Sequence, residues 1–267
     1  MINSKDDYKI GALLNLPKEK IEQIKDYQVI IGFSGFGNVG YLSLTHVVET
    51  VELQSIAYWG NSSWYHKNRL ESILTVYEHS SSKTIIVLPR LPIHVSTIPQ
   101  KFWDEFAREI LEWKCKEYVI IGGLKEDTRH YGSVDWAAFV PTPKWQELYE
   151  TKRSLMDHLP MIGPLSSFIT IGTTYDLPVL GLLAFCELEE DPSAALVAVE
   201  EIEKITGIPI ENKTSLERFN FSFVPSAIIP LNPNLYNESR IEYEDDDDDD
   251  DEDDDDDMPG YDLNELL

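Results

Sequence analysis

A chain of 267 residues, 42% apolar and 11% aromatic, can bury one large core or two small ones. Its 48 acidic residues against 22 basic ones give a net charge of −26, and no basic stripe is present to neutralise phosphates, so nucleic acid is excluded as an expected partner. No apolar run approaches the ~18 residues a membrane span needs, and residues 1–10, with Lys5, Asp6, Asp7 and Lys9, do not read as a secretory leader.

A cytoplasmic protein off the membrane is the expectation, with Cys115 and Cys186 as buried reduced thiols, too far apart in sequence to suggest a metal site.

In chain order, residues 17–25 predict a short helix with Ile21 and Ile24 on one face and Pro17 in a first-turn position. The β-branched run 28–33 (QVIIGF) predicts a buried strand, 38–50 a helix and 51–59 a second strand. Residues 72–78 and 84–88 read as a strand pair joined by a polar turn, and the proline-rich stretch 89–99 as a loop. In 100–114, Phe102, Phe106, Ile110 and Trp113 recur at helical spacing. A strand over 117–121 runs into Gly122-Gly123, followed by a polar excursion at 125–131 and a strand over 133–140. Helices over 143–153 and 166–171, a buried strand over 178–186 and a helix opening at Asp191-Pro192 and closing at Gly207 complete the pattern.

Strands alternating with amphipathic helices predict an α/β fold, a three-layer sandwich around a mostly parallel central sheet. The expected organisation is a helical lead-in over 1–26, an α/β domain over 27–229 and an acidic tail over 230–267. The run 244–257 alone supplies 14 acids; without it, 34 acidic residues face 22 basic ones, a net charge of −12. A block of like charge cannot bury enough surface to offset its ordering entropy, so the tail is expected to be disordered, with a short apolar tip of Tyr261, Leu263, Leu266 and Leu267.

The residues Gly35-Phe36-Gly37-Asn38-Val39-Gly40 spell G-x-G-x-x-G between a strand and a helix. In a dinucleotide-binding fold such glycines admit a pyrophosphate to a helix N-terminus, making Gly35, Gly37, Asn38 and Gly40 candidate ligand-binding residues. That reading also needs an acid at the end of the second strand. Here the strand is expected to end at Ala57-Tyr58-Trp59, and Glu52 opens it instead. The alternative is a tight turn in which Asn38 caps the helix. Lys125, Glu126, Asp127, Arg129 and His130 follow a strand end, where α/β folds place active sites, but also suit a solvated loop. Trp64, Tyr65, His66 and Arg69 form either an exposed patch or a core edge. The six histidines form no H-E-x-x-H or H-x-H pattern and no G-x-S-x-G elbow occurs, so neither a metal site nor catalytic residues, and no cofactor, are assigned.

Three segments, GFSGFGNVGYLS (32–43), YVIIGGLKEDTRHYGSV (118–134) and GTTYDLPVLGLLAFCELEEDPSAALVAVEEI (172–202), carry a family resemblance. Their motifs are the turn from Gly35 to Gly40, the strand ending in Gly122-Gly123, Asp176-Leu177-Pro178 before a strand, and the helix start from Asp191 to Ala195. In order and spacing they resemble the PAC2 family of proteasome assembly chaperones. The resemblance implies a nucleoside-phosphorylase-like α/β sandwich without catalysis. It also implies homo- or hetero-oligomerisation, with proteasome α-subunits or a paralogous chaperone subunit as partner. The resemblance further implies docking as in several relatives, through a C-terminal hydrophobic-Tyr-x tripeptide. This chain ends Glu265-Leu266-Leu267 instead, with leucine in the tyrosine position. The competing expectations are a nucleotide- or nucleoside-binding protein or enzyme using the glycine turn, and a scaffold whose acidic tail attracts basic partners.

Overall fold

The computed structural model describes residues 16–66, 69–89, 98–129, 135–149 and 161–211. The strand elements are β1 (Gln28–Gly32), β2 (Gln54–His66), β3 (Arg69–His79), β4 (Thr84–Pro89), β5 (Glu117–Lys125), β6 (Ala137–Pro141) and β7 (Val179–Cys186). The helices are α1 (Lys18–Gln23), α2 (Val39–Thr50), α3 (Gln100–Leu111), α4 (Pro143–Leu148), α5 (Gly163–Thr174) and α6 (Pro192–Thr206). The seven strands form one sheet in the order β2-β3-β4-β1-β5-β7-β6.

The four central strands, β4, β1, β5 and β7, run parallel, as their buried Val/Ile/Leu runs require. The flanks are antiparallel: β2 and β3 form a hairpin that continues into β4, and β6 pairs with β7. The sheet is therefore mixed, with the expected parallel part confined to its centre. Along β1, Ile30 faces one core and Val29 and Ile31 the other, the period-2 alternation of a strand covered on both sides.

The first core holds α2 and α6, whose Leu42, Val47, Ala195, Ala198 and Val199 close on the sheet. The second holds α3 and α5. There Phe33, Trp103, Phe106 and Phe168 meet ring to ring, with Phe33 and Trp103 centroids 5.2 Å apart at 78° and Phe106 and Phe168 6.1 Å apart at 83°. Ser167 Oγ donates to Asp104 Oδ1 at 2.7 Å and ties α5 to α3. That bond and one from Gln100 hold the Asp104 carboxyl below the usual carboxylate range.

Several boundaries differ from the sequence expectation. The second strand begins only at Gln54 and runs through Trp59 to His66, because it pairs with β3 along a hairpin longer than its apolar stretch suggests. The strand at Gly122-Gly123 continues to Lys125, and α5 reaches from Gly163 to Thr174. The predicted strand over 133–140 is Ala137–Pro141, and α4 ends at Leu148. The loop residues 90–97, the acidic tail and its tip residues Tyr261, Leu263, Leu266 and Leu267 lie outside the described residues.

Candidate functional site: a cleft at the carboxyl edge of the sheet

The parallel strands all end at one edge, where α/β sheets place their binding crevices. There the chain leaves an open cleft of about 1070 Å³, lined by residues from the stretches 33–38, 120–127, 161–165 and 183–190.

One wall is the glycine turn. Gly37 adopts φ +64°, and the adjacent Asn38 is also left-handed at φ 49°. Asn38 does not cap α2 with its side chain, contrary to expectation; its backbone N–H instead donates to Gly35 O at 3.0 Å, closing a 3₁₀ turn over Phe36–Asn38. Gly40 has a packing role: a Cβ there would lie 2.4 Å from Ile121 O and 2.7 Å from Phe33 N. Likewise a Cβ on Gly123 would lie 2.0 Å from Phe36 O. The glycines let the start of α2 sit directly on β1 and β5. Gly35 is the exception, with open space around it.

The second wall is the loop after β7. Asp191 is its anchor. It caps α6 by accepting from Ala194 N at 3.0 Å and holds the loop by accepting from Glu187 N at 3.0 Å. Its own N–H donates to Gly37 O at 2.9 Å, so both walls share one joint. Asp191→Ala is expected to cost about 1–2 kcal/mol, because a helix cap is lost and the Ala194 and Glu187 N–H groups lose their acceptor. Urea denaturation would measure it, and Asp191→Asn, whose single amide oxygen can accept from only one of the two N–H groups, should recover about half of the loss.

Cys186 sits at this joint, with its thiol donating to Leu124 O at 3.3 Å. Burial, with the Asp191 carboxylate nearby, pushes that thiol up to about 11; burial pushes Cys115 up to about 12. Both are protonated at neutral pH and are not nucleophiles. Since the folded thiols hold their protons more tightly than the ordinary value of 9.0, their stabilising effect is full below that pH and falls as pH rises toward about 11–12. At pH 8 an aromatic disulfide reagent should label neither cysteine rapidly in the folded protein and both after unfolding; fast native labelling would contradict the burial.

The polar residues after β5 divide. Lys125 Nζ stands 5.4 Å from the Phe36 ring centroid. Glu126 accepts from Arg129 at 2.8 Å, and the Arg129 guanidinium covers the Trp136 ring at 4.2 Å. His130 lies outside the described residues. The glycine turn, Lys125, Glu126 and Asp127 thus come together, whereas Arg129 is turned toward Trp136.

Two features of the cleft escape a linear reading. Phe36, Ile162 and Leu188 are large apolar side chains 51%, 74% and 61% exposed, and all three line the cleft from different loops. Phe36 is signalled by an apolar residue inside a glycine turn and Leu188 by one inside the acidic loop Glu187-Leu188-Glu189-Glu190, while Ile162 carries no such local signal. In addition, Ser34 is buried against the cleft and its Oγ has no hydrogen-bond partner among the described residues.

The dinucleotide reading required an acid on the strand beside β1. The neighbours of β1 are β4 and β5, while β2 pairs only with β3 at the far edge. Glu52, just before β2, therefore belongs to another part of the sheet. Among the described residues no His, Cys, Asp and Glu cluster could hold a metal ion, and no helix is long and apolar enough to cross a membrane.

The architecture defines a three-layer α/β domain with an apolar-rimmed cleft at the carboxyl ends of its parallel strands. The chain belongs to the PAC2 family, whose model matches residues 29–220. No curated protein sequence matches it.

Among solved structures it is similar to Pyrococcus furiosus PbaA, described as an archaeal homolog of proteasome-assembly chaperone. The two share 18% identity at a TM-score of 0.61, over 77% of this chain and 89% of that one. A Thermoplasma acidophilum protein of unknown function matches at 16% identity and TM-score 0.59, over 75% of this chain and 87% of that one. Pyrococcus furiosus PbaB, described as an archaeal proteasome activator, matches at 19% identity and TM-score 0.52, over 72% of this chain and 88% of that one. At these identities the likeness is one of fold.

Proposed function

We propose that this protein is a chaperone-like, protein-binding factor that acts on the proteasome without catalysis, engaging α-subunits or a paralogous chaperone subunit within a homo- or hetero-oligomer. The observation that carries this reading is the rim of the cleft. Three large apolar side chains exposed around one concavity are an interaction surface, since soluble proteins seldom group such residues without a partner. Family membership and the described roles of PbaA and PbaB support the proteasome as the setting. Cys186, the thiol of the cleft, is kept protonated and supplies no nucleophile at neutral pH. In this reading residues 27–229 form the working domain, and the acidic tail spaces the tip Tyr261, Leu263, Leu266 and Leu267 as a second, linear contact. Capture of purified 20S α-subunits by the full-length protein and by a version ending at residue 229 tests it. Capture by neither overturns it.

One observation favours a second reading. The unpartnered Ser34 hydroxyl beside the glycine turn suits a small neutral molecule such as a nucleoside. A thermal-shift panel of nucleosides and nucleotides checks this, and a flat response across the panel rejects it.

A further inference from the structure

The rim of the cleft is selective in charge as well as shape. Glu126, Asp127, Glu187, Glu189 and Glu190 line it against Lys125 alone among the described residues. Glu126 is engaged by Arg129, but Glu187, Glu189 and Glu190 are exposed and none of them forms an ion pair among the described residues. They flank Leu188, so one loop presents an apolar side chain bracketed by carboxylates. Phe36 and Ile162, also exposed, line the same cleft. A site of this kind repels nucleotide phosphates and also the chain's own polyacidic run at 244–257. It is complementary to an apolar side chain with cationic neighbours.

We propose that the cleft receives a short segment of a partner protein in which an apolar side chain stands between lysines or arginines. The apolar residue sits among Phe36, Ile162 and Leu188, and the cations meet Glu187, Glu189 and Glu190. This rests on the protein-binding reading above and specifies the occupant of that site. The carboxylates contribute mainly to selection and encounter rate, because exposed ion pairs are individually weak; the apolar contact contributes most of the residence time.

The test uses the full-length protein and three fluorescent peptides measured by anisotropy: Gly-Arg-Lys-Leu-Lys-Arg-Gly, a twin with glutamates in place of the basic residues, and a twin with serine in place of leucine. The basic leucine peptide should bind at least about tenfold more tightly than either twin. Glu187→Gln, Glu189→Gln and Glu190→Gln combined should weaken it about tenfold and flatten its salt dependence. Phe36→Ser with Leu188→Ser should abolish the preference for leucine over serine. Both changes fall on exposed side chains, and circular dichroism would verify that the fold is kept.

The polyacidic run is identical in every variant, so its attraction for a basic peptide is common to all. A benzophenone-bearing leucine peptide should cross-link to residues 33–38, 161–165 or 186–190. Equal affinity in wild type and both cleft variants, or cross-links confined to the tail, overturns the proposal. Capture of α-subunits together with no peptide preference leaves the proteasome reading standing and removes this one. Cleft cross-linking without α-subunit capture does the reverse.

Discussion

Replacing Gly40 with alanine is expected to destabilise the fold by about 3 kcal/mol, the upper range for forcing an atom into a packed interior. The added Cβ would lie 2.4 Å from Ile121 O, 2.7 Å from Phe33 N and 2.8 Å from Phe33 O. All three are backbone atoms of β5 or of Phe33, the residue after β1, so no side chain can rotate away and α2 itself must lift. The melting temperature should fall by roughly 6–12 °C, at ~2–4 °C per kcal/mol for a domain of this size. Gly35→Ala is the control: its Cβ meets nothing within 4 Å, so stability should be nearly unchanged. If the two variants melted alike, the close approach of α2 to the sheet would be wrong.

Phe106→Ala should cost about 3–5 kcal/mol, as expected for deleting a large buried aromatic. Phe106 is 1% exposed and its ring packs against those of Phe33, at 5.9 Å, and Phe168, at 6.1 Å. Phe33 lines the cleft, so this core also holds the floor of the site in place. Guanidinium unfolding would measure the loss. Phe106→Leu, closer in volume, should lose less than half as much. Equal losses in the two variants would mean that the edge-to-face ring contacts, and not apolar bulk, carry the stabilisation.

Much of the fold is legible in the sequence because its signals are local. The runs 29–32 and Val179–Cys186 carry apolar side chains or glycine at every step, and α3 repeats Phe102, Phe106 and Ile110 along one side. Asp191, Pro192 and Gly207 mark the ends of α6 with the chemistry each end requires. What the sequence does not carry is long-range order. That β1 lies between β4 and β5, with β2 at the rim, follows from sheet topology, and it removes Glu52 from the glycine turn. The left-handed Asn38 is a second case. Its residue type suits a helix cap, yet the tight approach of Gly40 to β5 fixes the turn in a geometry where the side chain makes no cap. The apolar rim is a third. Phe36, Ile162 and Leu188 lie on three loops remote in sequence, and only folding gathers them at one cleft.

The central claim is that this rim binds protein. The most direct measurement is capture of purified 20S α-subunits by full-length wild type and by the full-length variant carrying Phe36→Ser, Ile162→Ser and Leu188→Ser. All three side chains are more than half exposed, so the variant should fold normally. Capture by wild type and at least a tenfold loss in the variant are expected, on the order of 1.4 kcal/mol. Undiminished capture by a folded variant would contradict it.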